Sequence, residues 1–204
     1  MRAPGPTSDT AALADGIGLL RPAFAADLGS GSGGVAEFGP AAGGPAWLLV
    51  DLDAEALSSC RIAGALRVCC DVSDVPFLMA GGIADLVASN PPYGDEGRSR
   101  PPSGRRRRLE RLSGPIVRSL FARAASHLLR PGGEYRTVNR PQALEEMLVS
   151  CRAFGMETFE IQPFGEPSHP ACLVRLRALK GGGRRQLRLL PQRPLPGTPG
   201  GAAT

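Results

Sequence analysis

The sequence predicts an α/β fold, a mostly parallel sheet with helices on both faces. Three observations predict it. Short apolar runs alternate with helical periodicities along most of the chain. The first runs end in glycine-rich or acidic turns. The last two runs have no helical pattern between them and read as a closing β pair. At 204 residues the chain can hold one domain with a full core.

The elements follow in order. Residues 1–7 read as a flexible start, and the domain as 8–180. Ser8 or Asp9 can cap a helix running toward Leu20, where Arg21-Pro22 stops it. "AFAADLGSGSGG" is a short strand entering a glycine turn. The stretch 34–45 is rich in Gly and Pro, so the first crossover helix must be short. "AWLLVDLD" is a continuous apolar run ending in acids, as in a strand buried on both faces. "AEALSSCRIAGAL" has helical spacing, "LRVCCDV" is a third strand and "IADLVASN" a fourth. Arg98 to Glu110 reads as an exposed loop. "PIVRSLFARAASHLLR" is an amphipathic helix ended by Pro131-Gly132-Gly133. "EYRTVN" is a fifth strand and "QALEEMLVSCRAFG" a helix. "METFEIQPF" and "ACLVRLRAL" close the sheet at seven strands. Residues 181–204 are a Gly/Arg/Pro-rich tail, expected to be loosely packed.

Composition narrows the function classes. No apolar run approaches the ~18 residues of a membrane span, and the start lacks a secretory pattern. A cytoplasmic protein is expected. The five cysteines form no CxxC pair, so no metal site is expected and they read as reduced, mostly buried small hydrophobes. The net charge of +5 permits an anionic partner. Lys180 is the only lysine, so the arginine bias is as much compositional as functional.

The glycine turn, "DLGSGSGG", carries Asp27, Gly29, Gly31 and Gly33. Glycines let a backbone turn sharply and approach a ligand. Asp51, about 20 residues on, suits ribose hydroxyls, as in dinucleotide sites. The turn alone leaves NAD and other adenosine cofactors open. Asp27 favours a cofactor without phosphate, since an acid there would repel a pyrophosphate. It suits the ammonium of S-adenosylmethionine. Asp71 and Val72, after the third strand, can then flank the adenine, the acid taking its amine and the valine packing on its ring. These acids line the carboxyl edge of the sheet, where such folds bind ligands.

At the fourth strand end stands "NPPY", Asn90 to Tyr93. With this motif the chain resembles the Rossmann-like class I methyltransferases that use S-adenosylmethionine to methylate planar nitrogens, chiefly adenine N6 or glutamine N5. The resemblance implies that the Asn90 side chain and the Pro91 carbonyl accept hydrogen bonds from the target amine. It implies that Tyr93 stacks on a target base, and that Asn90 also borders the cofactor. A ring amine shares its lone pair with the ring and is a poor nucleophile. Two acceptors on its hydrogens draw it toward tetrahedral geometry, so positioning and electrostatics carry the reaction. The prolines hold those acceptors rigid. An aromatic face offsets the unstacking of a flipped base.

More of the chain is similar to one subgroup, the bacterial enzymes that methylate adenine N6 beside the anticodon of a valine tRNA. The residues are "SDTAALAD", "LLRPGGEYRTVNRPQALEEML", "HPACLVRLRALKGGGRRQLRLLP" and the basic loop. That resemblance spans about residues 8–192 and implies tRNA processing by a monomer. The family usually has more sequence before the first helix, so a truncated or misassigned start is expected. The loop from Arg98 to Arg111 holds seven arginines. Arg105, Arg106, Arg107 and Arg108 are candidates for tRNA phosphates; a solvated basic block reads equally well. Other readings stay open: a glutamine-N5 methyltransferase acting on a translation factor, a degenerate RNA-binding relative, and an NAD-binding oxidoreductase.

Overall fold

The structure, a computed structural model, describes residues 7–38, 44–93, 114–182 and 186–197. Eight strands form one sheet in the order β3-β2-β1-β4-β5-β7-β6-β8. Strands β1 (Phe24–Leu28), β2 (Ala46–Asp51), β3 (Leu66–Cys69), β4 (Ala84–Ser89) and β5 (Leu129–Asn139) run parallel. Strand β7 (Leu173–Lys180) lies antiparallel between β5 and β6 (Met156–Phe164). The sheet thus has the expected parallel body and antiparallel closing strand.

The eighth strand corrects the expected count of seven. Arg188–Leu189 adds β8 in parallel to β6. The physical reason is β6 itself, which would otherwise leave polar groups at the sheet edge. Glu160 takes the Arg188 guanidinium at 2.7 Å, Ile161 O accepts from Leu190 N at 3.0 Å, and Gln162 Nε2 donates to Pro191 O at 2.7 Å. Residues 188–193 of the tail are therefore hydrogen-bonded to the sheet.

Two cores sandwich the sheet. On one face α6 (Gly114–Leu128) and α7 (Leu144–Ala153) bury Phe121, Leu128, Met147 and Cys151 against Leu28, Val50, Val87 and Leu176. On the other, α1 (Ser8–Ala14), α2 (Ile17–Leu20), α3 (Gly34–Glu37) and α4 (Ala54–Ser58) pack Leu13, Ile17, Val35 and Leu57 on Leu49, Leu86 and Val138. The central strands are apolar on both sides for this reason. The one-turn helix α3 is the short crossover that the glycines and prolines of 34–45 require, and another one-turn helix, α5 (Val75–Leu78), precedes β4. No helix among the described residues is long and apolar enough to cross a membrane.

The first helix departs from expectation twice. Its N-cap is Thr7, whose hydroxyl accepts from Thr10 N at 3.3 Å, rather than Ser8 or Asp9. It also stops at Ala14 instead of running to Leu20, because Gly16 adopts φ +72°. Buried arginines take over the freed carbonyls. Arg175 donates to Ala12 O at 3.0 Å, and Arg136 to Asp15 O at 2.6 Å. A helix end otherwise leaves such acceptors unpaired.

Those arginines explain the polar fifth strand. Glu134 and Arg136 on β5, Arg175 and Arg177 on β7, and Glu160 on β6 form a chain of ion pairs; Arg177 meets Glu134 at 2.8 Å and Glu160 at 3.0 Å. Burial alone would raise the Glu134 pKa, but Arg177 and Arg136 outweigh it and hold the carboxyl below its ordinary value.

The cysteines are all free, but Cys69 and Cys172 are exposed, so the expectation of mostly buried thiols holds only for Cys60 and Cys151, with Cys70 half-buried.

Removing one partner of a buried ion network strands the others without compensation. Arg175→Ala is expected to cost about 3–5 kcal/mol in denaturant unfolding. A loss near zero would show that the network is solvated in the folded chain.

Candidate functional site

The first four strands deliver the predicted residues to one edge of the sheet. Asp27 lies on β1, the glycine turn follows it, Asp51 ends β2, Asp71 follows β3, and Asn90 follows β4. The parallel register is why they converge, with Leu28 opposite Val50 and Ser89.

The turn is latched to β2. Gly29 N and Ser30 N both donate to Val50 O, at 2.8 and 3.1 Å. Gly31 N donates to Asp51 Oδ2 at 2.7 Å, while Asp51 Oδ1 accepts from Asp53 N at 2.8 Å. Asp51 thus braces the turn, a role its sequence position did not reveal. Each of its oxygens keeps a lone pair for a hydroxyl. Gly31 and Gly33 need glycine for different reasons. Gly31 sits at φ +53° and a Cβ there would meet nothing within 4 Å, so it faces open space. At Gly33, φ +89°, a Cβ would lie 3.0 Å from Cys60 Sγ and 3.2 Å from Leu49 Cδ1, so it is a packing glycine.

Asp27 is 2% exposed and its Oδ2 has no hydrogen-bond partner. Burial first, and the Asp51 carboxylate second, push its pKa up to about 8. An acid held this way is poised to accept a cationic or strongly donating ligand group. Ser30 Oγ is likewise buried without a partner.

Asp71 caps the 3₁₀ turn Val72–Asp74, its carboxylate accepting from Ser73 N at 2.9 Å. Val72 is 5% exposed and belongs mainly to the core beneath α6.

At the β4 end, Asn90 Oδ1 is a third buried acceptor without a partner. Pro91 is buried behind it. Beneath them, Ser89 Oγ, Tyr135 Oη and Thr137 Oγ1 form a closed buried network, with Ser89 2.7 Å from Tyr135 and 3.2 Å from Thr137. Tyr93 is half-buried, anchored at its hydroxyl and covered on its face. Its Oη donates to Asp9 Oδ2 at 2.6 Å, and the Arg140 guanidinium carbon lies 5.1 Å from the ring centroid. Burial and then Asp9 push the phenol well above its ordinary value, so it remains a donor.

Asp9 and Arg140 are the site residues that sequence reasoning missed. Asp9 read as a helix cap, and Arg140 stood within the quoted "LLRPGGEYRTVNRPQALEEML" stretch with no role of its own; nothing local tied either to Tyr93. Arg105, Arg106, Arg107 and Arg108 lie outside the described residues.

The donor set fits S-adenosylmethionine. The buried orphan acceptor at Asp27, the open space over Gly31 and the spare lone pairs of Asp51 suit an ammonium and a ribose. Among the described residues no three His, Cys, Asp or Glu side chains group as metal ligands.

Solved structures share the architecture. A predicted O-methyltransferase from Agrobacterium tumefaciens superposes with a TM-score of 0.62 at 21% identity, over 85% of this chain and 79% of that one. The fold is the Rossmann-like methyltransferase fold. A candidate RNA methyltransferase from Pyrococcus horikoshii matches with a TM-score of 0.58 at 17% identity, over 84% and 81% of the two chains. A TehB-like SAM-dependent methyltransferase from Corynebacterium glutamicum matches with 0.56 at 17%, over 84% and 87%. No protein-family model and no curated protein matches the sequence.

The raised Asp27 pKa has a stability consequence. The unfolded acid ionises near pH 3.8 and the folded one near 8. Its contribution is therefore full below pH 3.8, is lost as pH rises to about 8, and changes no further above that. Asp27→Asn is expected to flatten the stability profile across this window and to stabilise the free chain most at pH 8 and above. Chemical denaturation at pH 5, 7 and 9 reads this; parallel profiles for the two proteins would refute it.

Proposed function

We propose that the protein is an S-adenosylmethionine-dependent N-methyltransferase whose target is the N6 amine of an adenine in tRNA, near the anticodon. The observation that carries the reading is the unpaired, buried Asn90 Oδ1 at the same sheet edge as the unpaired Asp27 Oδ2. Native structures leave few such groups without a reason.

In this reading Asp27 holds the ammonium of the cofactor, Asp51 the ribose hydroxyls, and Asp71 with Val72 the adenine. The bound cofactor would supply a methyl group on a sulfonium, which departs as a neutral thioether with the bonding electron pair. Asn90 Oδ1 and the Pro91 carbonyl accept the two amine hydrogens and turn the nitrogen lone pair toward that methyl. The prolines fix both acceptors, and the Ser89–Tyr135–Thr137 network supports them from below. The extra proton leaves the product nitrogen for water, so no strong base is required. Tyr93 offers its ring to the base. The partner is tRNA in the cytoplasm, met by a monomer.

The same acceptors would fit a glutamine amide, the second reading, because its nitrogen also bears two hydrogens and is planar. The orphan acceptors speak against a degenerate relative, and Asp27 against a pyrophosphate cofactor.

Calorimetry is expected to show binding of S-adenosylmethionine and none of NAD. Because Asp27 is protonated below pH about 8, cofactor binding should release a proton at pH 7 and tighten as pH rises toward 8. Asp27→Asn should abolish that release. Binding with no buffer-dependent heat would remove Asp27 from the ammonium site.

Asn90→Ala should leave cofactor affinity within about twofold and lower turnover about 100- to 1000-fold, the effect of losing one preorganised polar group. Surviving turnover would refute the mechanism. Nucleoside mass spectrometry of tRNA from a strain lacking the protein should show one N6-methyladenosine missing.

A further inference from the structure

We propose that Arg140 recognises a phosphate of the nucleotide that carries the target amine, and so selects nucleic acid over a protein glutamine; this rests on the methyltransferase reading. Arg140 follows β5 directly, at the same sheet edge as Asn90 on the neighbouring strand. Its backbone is locked. The N–H donates to Asn139 Oδ1 at 2.9 Å, the carbonyl accepts from Ala143 N at 3.0 Å, and Pro141 follows. Asn139 is itself 1% exposed. The chain therefore presents this side chain from a fixed base.

The guanidinium, by contrast, is held lightly. It is exposed, and among the described residues it pairs with no carboxylate, whereas the arginines of β5, β7 and the tail residues Arg188 and Arg193 do. Among the described residues it lies over the face of Tyr93. Exposed cation–π contacts are weak, so an incoming ring can displace it. Tyr93 cannot swing aside, because Asp9 holds its hydroxyl. A planar base entering beside Asn90 thus meets a fixed ring and a movable cation. The displaced guanidinium needs an anion, and a nucleotide brings one beside its base in a form that matches the guanidinium fork. A glutamine side chain brings none.

The test compares wild type, Arg140→Ala and Arg140→Lys, with binding of a fluorescein-labelled, adenine-containing single-stranded RNA and of tRNA from the deletion strain. Arg140→Ala is expected to weaken RNA binding about tenfold at low salt and to reduce the slope of log Kd against log salt by about 0.7 to 0.9, one phosphate contact. Affinity for S-adenosylmethionine and melting temperature should not change. Arg140→Lys should restore the salt slope. An unchanged slope in Arg140→Ala overturns the assignment. So does methyl transfer to a glutamine peptide with RNA ignored, which leaves the methyltransferase reading standing. Absence of cofactor binding in the wild type overturns that reading instead, while the RNA salt slope still judges Arg140.

Discussion

Glu134, Arg136, Glu160, Arg175 and Arg177 are buried or nearly so between the last strands of the sheet, and the rest of the molecule is arranged around keeping them paired. A lone buried charge is costly; here every charge has an opposite partner, although Arg175 Nε itself has no hydrogen bond. The network recruits its remaining partners from both ends of the chain. Arg136 and Arg175 reach the carbonyls that close α1, and Glu160 draws in Arg188. Asp15 adds a second tie, meeting Arg175 and Arg193. The first helix and the last strand are thus fixed by the same side chains.

The site inherits this order. Asp9 rides on α1, and its carboxylate determines where the Tyr93 hydroxyl points. On the other side, the glycine turn is held by Val50 O and Asp51 rather than by its own side chains. The unpaired buried groups at this edge include acceptors at Asp27 and Asn90. A surface of acceptors between rigid turns is complementary to amine and ammonium hydrogens, which joins the two halves of the proposed chemistry.

Much of this was legible in the sequence because it is local or periodic. Apolar runs gave β1 to β4, and a glycine turn followed by an acid twenty positions on gave the site edge. The turn at 34–45 announced a minimal helix. What escaped was everything set by distant partners. Gly16 interrupts a good helical pattern because Arg136 and Arg175 supply substitute donors from over 120 positions away. The tail reads as low complexity, yet β6 offers it an edge and a carboxylate. "EYRTVN" is polar for a core strand because its charges are balanced across three strands, a sum invisible in any one of them. Asp9 and Arg140 met Tyr93 only after folding.

The contact between Arg175 and the Ala12 carbonyl joins residues 163 positions apart, and this has a consequence for biosynthesis. The ribosome delivers β1 to β4, with every residue of the proposed cofactor site, well before Arg175 emerges. Domains assemble from the N-terminal side as they are made, and α1 can pack on β2, β4 and β5 early, but the Arg175 tie to its end waits for β7. The last brace on the helix that carries Asp9 is therefore added late, although Asp9 is among the earliest residues made. A nascent chain stalled before β7 would carry the motif with its first helix lacking the Arg175 brace.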